Sequence, residues 1–447
     1  MGKHLLAIVL LLAPGAAAQT RLTLADAVAT ALEKNPTRKA AVFHRQAAEA
    51  GVKEVRGSLL PQLSFSESYQ RSNDPVFVFG SKLRQQRFGP RDFALNVLNT
   101  PTPFGNFATR LSAGWQLFDS GASWMRLAQS KQASQLAQRH LERSEQQLVF
   151  RVVDAYLSLL LAQKQLQVAD DAVGTAQAIH ERSKSRFDAG MVVESDPLAA
   201  QVELAQRRQE QIAARNAVEL ALAALAHELG VSLETVYEPT EVLAERSVPA
   251  VDQAQLEELA LERRPDLAGV KLQVEIQRKN ASIAKASFGP KLNVIADWQA
   301  DNPSFASGGG NNWYAGVELS VDLFSGGAKL ARLRREQATA READAQRDAM
   351  TSGVRLEVRK AALDRAAAEQ QLAVARDSVA QAKESLRISQ NRYDGGLITI
   401  SDLLRSQEVS LRAETGYWQA VYRVHLSHAN LELATGTLGA DSSAVKP

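Results

Sequence analysis

Two stretches of 67 residues, Gly121 to Phe187 and Gly327 to Tyr393, contain no proline. As α-helices each would extend ~100 Å, several times the usual helix of a globular domain. Within the first, Leu148, Val152, Ala155, Leu159, Ala162, Leu166, Ala169, Val173 and Ala176 alternate in steps of four and three. The positions 206 residues later are Val354, Val358, Ala361, Arg365, Ala368, Leu372, Ala375, Val379 and Ala382, and only Arg365 interrupts the apolar seam. A sustained period of 3.5 predicts left-handed supercoiled packing, a seam that a simple coiled coil shares. An aromatic share of only 6% suits long helices packed through small side chains.

The two runs belong to a longer duplication. Leu117-Phe118-Asp119-Ser120-Gly121 returns as Leu323-Phe324-Ser325-Gly326-Gly327. Arg186-Phe187-Asp188-Ala189-Gly190 returns as Arg392-Tyr393-Asp394-Gly395-Gly396, and Ser195-Asp196 as Ser401-Asp402, all at the 206-residue offset. Pro36 and Pro61 return instead at an offset of 229, as Pro265 and Pro290, so the first half carries 23 extra residues between Pro61 and Phe118. A length of 447 would suit about three ordinary domains; two related halves describe this chain better. They cover residues 19–229 and 251–436, with a linker at 230–250 and a polar tail at 437–447. Each half reads as a helix, a hairpin (62–118 or 291–324), a long helix (121–187 or 327–393) and a last helix (196–229 or 402–434). Thr23 and Ser401-Asp402 offer capping oxygens for helix starts, and the glycines at 190 and 396 read as left-handed turns.

The hairpins have membrane character. Trp313, Ala315, Val317, Leu319, Val321 and Leu323 alternate with polar or small residues. Leu292, Val294, Ala296 and Trp298 do the same, as do Leu111, Ala113, Trp115 and Leu117; the pattern at Leu63 and Phe65 is weaker. Alternation over about ten residues matches a tilted transmembrane strand, although a soluble hairpin capping a helical bundle would also alternate. Trp115, Trp298 and Trp313 lie inside these segments, as expected of rings at a membrane interface. Four strands cannot close a barrel, and lipid tolerates no open edge. Strands that span a membrane would therefore require several copies of the chain.

The N-terminus reads as a signal peptide over residues 1–18: Lys3, an apolar core from Leu5 to Ala13, then Ala16-Ala17-Ala18. The 52 basic and 50 acidic residues leave no concentrated positive surface for nucleic acid. With no cysteine, a thiol nucleophile, a cysteine-ligated metal and an N-terminal lipidated cysteine are all excluded, leaving a barrel as the expected membrane anchor. His425 and His428 stand three apart without further ligands, and Gly308-Gly309-Gly310 lacks the lysine and helix of a phosphate loop. No cofactor, metal site or catalytic constellation is expected. The extra residues fall within 73–107, where four prolines favour a disordered loop, while Phe77, Phe79, Phe88 and Phe93 favour an ordered cap.

The paired FDAG and YDGG turns, each followed by Ser-Asp, and the duplicated helix–hairpin–helix unit resemble the TolC family of outer-membrane efflux proteins across about residues 22–436. The resemblance implies a mainly α fold with transmembrane β: a homotrimer with a 12-stranded barrel in outer-membrane lipid and a 12-helix periplasmic tunnel, in a Gram-negative bacterium. It implies a passive exit duct fed by a periplasmic adaptor and an inner-membrane transporter of RND, ABC or MFS type, in efflux or type I secretion. A soluble periplasmic structural or adaptor protein built on α-hairpins is the alternative. By the same resemblance Tyr393 and Asp196 belong to a lock between helix tips, and Asp402 to an acidic ring at the aperture. A second acidic position falls on Arg405, which would weaken cation selectivity or pair with Asp402, and a basic lock position falls on Ile398. Phe187, Gly190, Gly396 and Leu397 would present the tips to the adaptor.

Overall fold

The computed structural model describes residues 20–246, 253–305 and 308–446. The signal-peptide reading of residues 1–18 lies outside the described residues, as does part of the 230–250 linker. In chain order the elements are β1 (Thr20–Leu22), α1 (Leu24–Lys34), α2 (Pro36–Gly57), β2 (Gln62–Ser72), α3 (Pro75–Arg84), α4 (Leu95–Asn99), β3 (Phe104–Phe118), α5 (Ala122–Asp188) and α6 (Ser195–Leu229). There follow β4 (Tyr237–Pro239), α7 (Gln253–Arg263), α8 (Pro265–Ala286), β5 (Lys291–Asn302), β6 (Gly310–Ser320), α9 (Ala328–Asp394) and α10 (Ile400–Thr435). The chain is mainly helical, and α5 and α9 are each 67 residues long.

Among the described residues, those within 20–43, 139–268 and 349–446 make one compact unit, and those within 44–138 and 269–348 a second. Each unit takes pieces of both sequence repeats.

The first unit holds the larger apolar core. Leu148, Val152, Val153 and Leu159 of α5 are sealed there with Val28 of α1, Leu225 of α6 and Val421 of α10. A second cluster joins Val354, Val358 and Ala361 of α9 to Ala260 of α7 and Ala434 of α10. Arg365, the break in the seam, is buried all the same, and its Nε donates to Glu369 at 3.0 Å. The two repeats also share one packing device. Gly230 and Gly436 end α6 and α10 in the left-handed region, with φ +73° and +74°. A side chain at Gly230 would stand 2.7 Å from the Cα of Asn35, and one at Gly436 2.9 Å from the Cα of Arg264. Asn35 and Arg264 each precede the proline that opens the next helix, Pro36 of α2 or Pro265 of α8.

The second unit holds a four-stranded antiparallel sheet in the order β2-β3-β5-β6. The last pair of its β5–β6 ladder is Lys291 with Ser320, so the expected hairpin is too long by four residues. Val321 and Leu323 keep the alternation but have no strand beside them, because β5 begins only after Pro290. One face carries the row Phe65, Leu111, Trp298 and Trp313, paired directly across all four strands. The opposite face is polar. There Arg110 donates to Gln299 at 3.0 Å, Gln299 to the buried Asp301 at 2.9 Å, and Ser112 bonds Asp297.

The segment between β2 and β3 holds α3 and α4, with α3 in contact with the sheet. Asp74 caps α3, accepting from the Phe77 amide at 2.7 Å. Phe79, Phe88 and Phe93 stack edge to face, Lys82 bonds Asp92 at 2.7 Å, and Gln85 Nε2 donates to Asn106 Oδ1 at 2.8 Å and to the carbonyls of Gly105 and Asn302 at 3.1 Å.

Candidate gate at the helix tips

At the ends of α5 and α9 the sequence places the same turn twice. Gly190 and Gly396 both adopt φ +72°, open to solvent, where any side chain would be strained. Behind the first, the Met191 amide donates to Arg186 and the Gly190 amide to Phe187, each at 2.8 Å. Behind the second, the Leu397 amide donates to Arg392 at 2.9 Å and the Gly396 amide to Tyr393 at 3.0 Å. This pattern satisfies two of the last carbonyls of each helix and fixes where the next helix starts.

A small apolar cluster of Ile179, Ala200, Tyr393, Ile400 and Leu403 sits behind the turns. Ile398, where the family resemblance puts a basic residue, packs against it. Tyr393 is nearly sealed, and its hydroxyl meets Ser183 Oγ at 3.3 Å. Arg186 of α5 is the main cross-link: Nη1 donates to the carbonyls of Tyr393 at 2.6 Å and Asp394 at 2.9 Å, while the guanidinium lies 5.1 Å over the Tyr393 ring. A cation at the carbonyl end of α9 also meets the negative end of that helix. Arg182 adds an ion pair to Asp394 at 2.6 Å.

The other expected gate residues are placed differently. Asp196 is half-buried in the first turn of α6, 3.4 Å from Ser195 Oγ; within one chain Tyr393 turns to Ser183 rather than to Asp196. Asp402 completes a capping box: Thr399 Oγ1 accepts from the Asp402 amide at 3.3 Å, and Asp402 Oδ2 accepts from the Thr399 amide at 3.2 Å and hydroxyl at 2.7 Å. The cap of α10 is thus Thr399, not the expected Ser401-Asp402 pair; Ser401 is already inside the helix. Hydrogen bonds from Thr399, with a smaller effect of the Arg405 charge, hold the Asp402 carboxyl below the usual carboxylate range. Arg405 is exposed and, among the described residues, forms no ion pair with Asp402. Arg182, Ser183, Arg186 and Asp394 were not anticipated as contacts; the signal for them was the return of Arg186 and Asp188 as Arg392 and Asp394 within the repeated turn.

At the tips Leu397 is 71% and Met191 69% exposed, and Phe187 more than a third. On the sheet, Trp298 and Trp313 pair side by side on the apolar face, and Trp115 Nε1 donates to the Leu59 carbonyl at 2.9 Å. His425 and His428 spend ring nitrogens on the Ala244 carbonyl and Ser443 Oγ, at 2.7 and 2.8 Å. Among the described residues there is no cluster of three or more His, Asp or Glu able to hold a metal ion, and no helix long and apolar enough to cross a membrane.

Comparison with known proteins gives concordant results. The outer membrane efflux protein family model matches residues 27–231 and 256–437. The proteases secretion protein PrtF of Dickeya chrysanthemi is 24% identical over 97% of this chain and 92% of its own length. The alkaline protease secretion protein AprF of Pseudomonas aeruginosa is 28% identical over 72% of this chain and 64% of its own length. The fold superposes on the CmeC outer membrane channel of Campylobacter jejuni with a TM-score of 0.80, at 20% identity, over 95% of this chain and 88% of that one. The chain belongs to the outer membrane efflux protein family and is an exit duct of the outer membrane for efflux or secretion.

Proposed function

We propose that three copies assemble into one continuous duct: twelve strands close a barrel in the outer membrane, and twelve helical columns form a tunnel in the periplasm. The observation that carries this reading is the sheet of four strands, with one apolar face, one polar face and free edges on β2 and β6. Such edges are not viable in lipid, so each must pair with a neighbouring copy. The row of Phe65, Leu111, Trp298 and Trp313 then faces lipid, with Trp115 nearer the tunnel, and the polar row lines the lumen. Twelve columns at ~10 Å spacing leave a bore of roughly 25–30 Å, wide enough for a drug or an unfolded polypeptide.

In this reading the duct is passive, and the tips are its gate. Tyr393, held by Arg186, and Asp196 at the start of the next helix close the tips against neighbouring copies. Three Asp402 carboxylates ring the aperture, with three Arg405 side chains offsetting their charge. Phe187, Gly190, Gly396 and Leu397 form the face that an adaptor grips, and an inner-membrane transporter supplies the energy. The names of AprF and PrtF favour polypeptide cargo. Fractionation and cross-linking test the assembly: the protein should stay with outer membranes after carbonate washing and cross-link to the mass of three chains. A carbonate-soluble single chain would return the soluble adaptor reading.

A further inference from the structure

The insertion between β2 and β3 carries an apolar stripe on α3. At roughly 100° per residue, Val78, Ser81 and Gln85 fall on one side of α3, and Val76, Phe79, Gly80 and Leu83 on the opposite side. The first side is buried against the ends of β3, β5 and β6. Gln85 is bonded to Asn106, whose side chain donates in turn to Asp301 at 2.5 Å. A side chain at Gly310 would collide with the Arg84 carbonyl. On the second side Phe79 stacks on Phe88, while Val76 is 80% and Leu83 48% exposed and the space around Gly80 is empty to 4 Å.

Asn106 and Asp301 stand on the polar face of the sheet, in line with Arg110 and Gln299. α3 is therefore fixed on the polar side, with its apolar stripe turned away from the sheet. Lipid cannot cover that stripe, because the lipid-facing row lies on the other side. In a barrel closed by three copies the polar side is the lumen, and each stripe points toward the axis, where two identical stripes point as well. Only two residues separate α3 from the edge strand β2, where a neighbouring copy must pair. We propose that the α3 stripes of three copies pack on one another as a collar across the outer mouth of the duct. This rests on the trimeric reading above. The collar makes the outer mouth a second constriction, built by the 23 residues that the second repeat lacks.

The chain has no cysteine, so Leu83→Cys or Val76→Cys introduces a single thiol at the stripe. Each variant, purified in detergent and kept dilute, is oxidised with copper phenanthroline and run without reductant. An amine cross-linker on the same sample counts the copies. The collar predicts that the band shifts from the mass of one chain to that of two in a sample that amine cross-linking shows to be trimeric. A trimer in which neither thiol forms the dimer overturns the collar and leaves the duct reading intact. Loss of the trimer overturns both. Thiols shielded from maleimide but not joined would assign the stripe to another occupant, which also overturns the collar.

Discussion

Arg186 is the residue on which the tip depends most. Each hydrogen bond from a charged donor is worth about 1.5–3 kcal/mol, and Arg186 makes two, to carbonyls of a nearly sealed tyrosine and its neighbour. Arg182 makes an ion pair whose partners are both about half exposed, a class worth about 0–1 kcal/mol. Arg186→Ala should therefore speed amide exchange across residues 392–397 far more than Arg182→Ala; equal effects would shift the role to the ion pair. The glycines divide in the same way. Gly230→Ala must absorb both a left-handed backbone and a contact with Asn35, so it should cost well over the ~1 kcal/mol of the backbone alone, whereas Gly190→Ala, in open space, should cost about that. Thermal unfolding of both variants orders them. Asp402 carries a pH dependence. Its folded pKa is depressed, so the capping box contributes fully above the ordinary value of 3.8 and is lost as pH falls below it. Protection of the first amides of α10, the slowing of their exchange relative to an unstructured chain at the same pH, should fall in that acid range and stay flat above it.

At the scale of elements the seam was legible because helical periodicity and the absence of proline agree over 67 residues. Leu159 is fully buried in it, so Leu159→Ala should destabilise by about 2–5 kcal/mol, while Leu363→Ala, on the open side of α9, should change little. Denaturant unfolding checks the pair. Other elements show where a one-dimensional pattern stops. Alternation carried the second hairpin to Phe324, but a strand ends where its partner ends, at Ser320 opposite Lys291. The Thr399–Asp402 spacing held the capping signature, yet Ser401 competed with it on residue type alone. The order of the 73–107 insertion depends on Gln85 reaching Asn302, 217 residues away, which no local composition expresses. The Arg186–Tyr393 contact spans 207 residues and is hidden for the same reason. The repeated turn marks the tips in the sequence; the side-chain partners within it required the fold.

At the scale of the whole molecule, the duplication, the two-faced sheet and the paired tips serve one arrangement. The small-residue balance belongs to helices that pack closely, and aromatic residues gather where the sheet and its cap stand. Copies of this chain are proposed to form a transmembrane duct closed at its helix tips. Single-channel recording in planar bilayers tests it most directly, with the purified protein beside the Asp196→Ala/Tyr393→Phe variant and Arg186→Ala. A duct closed at its tips should give small, discrete conductance for the unaltered protein and a severalfold larger one for both variants. Channels whose conductance is the same in all three would contradict a gate at the tips, and the absence of any channel would contradict the duct itself.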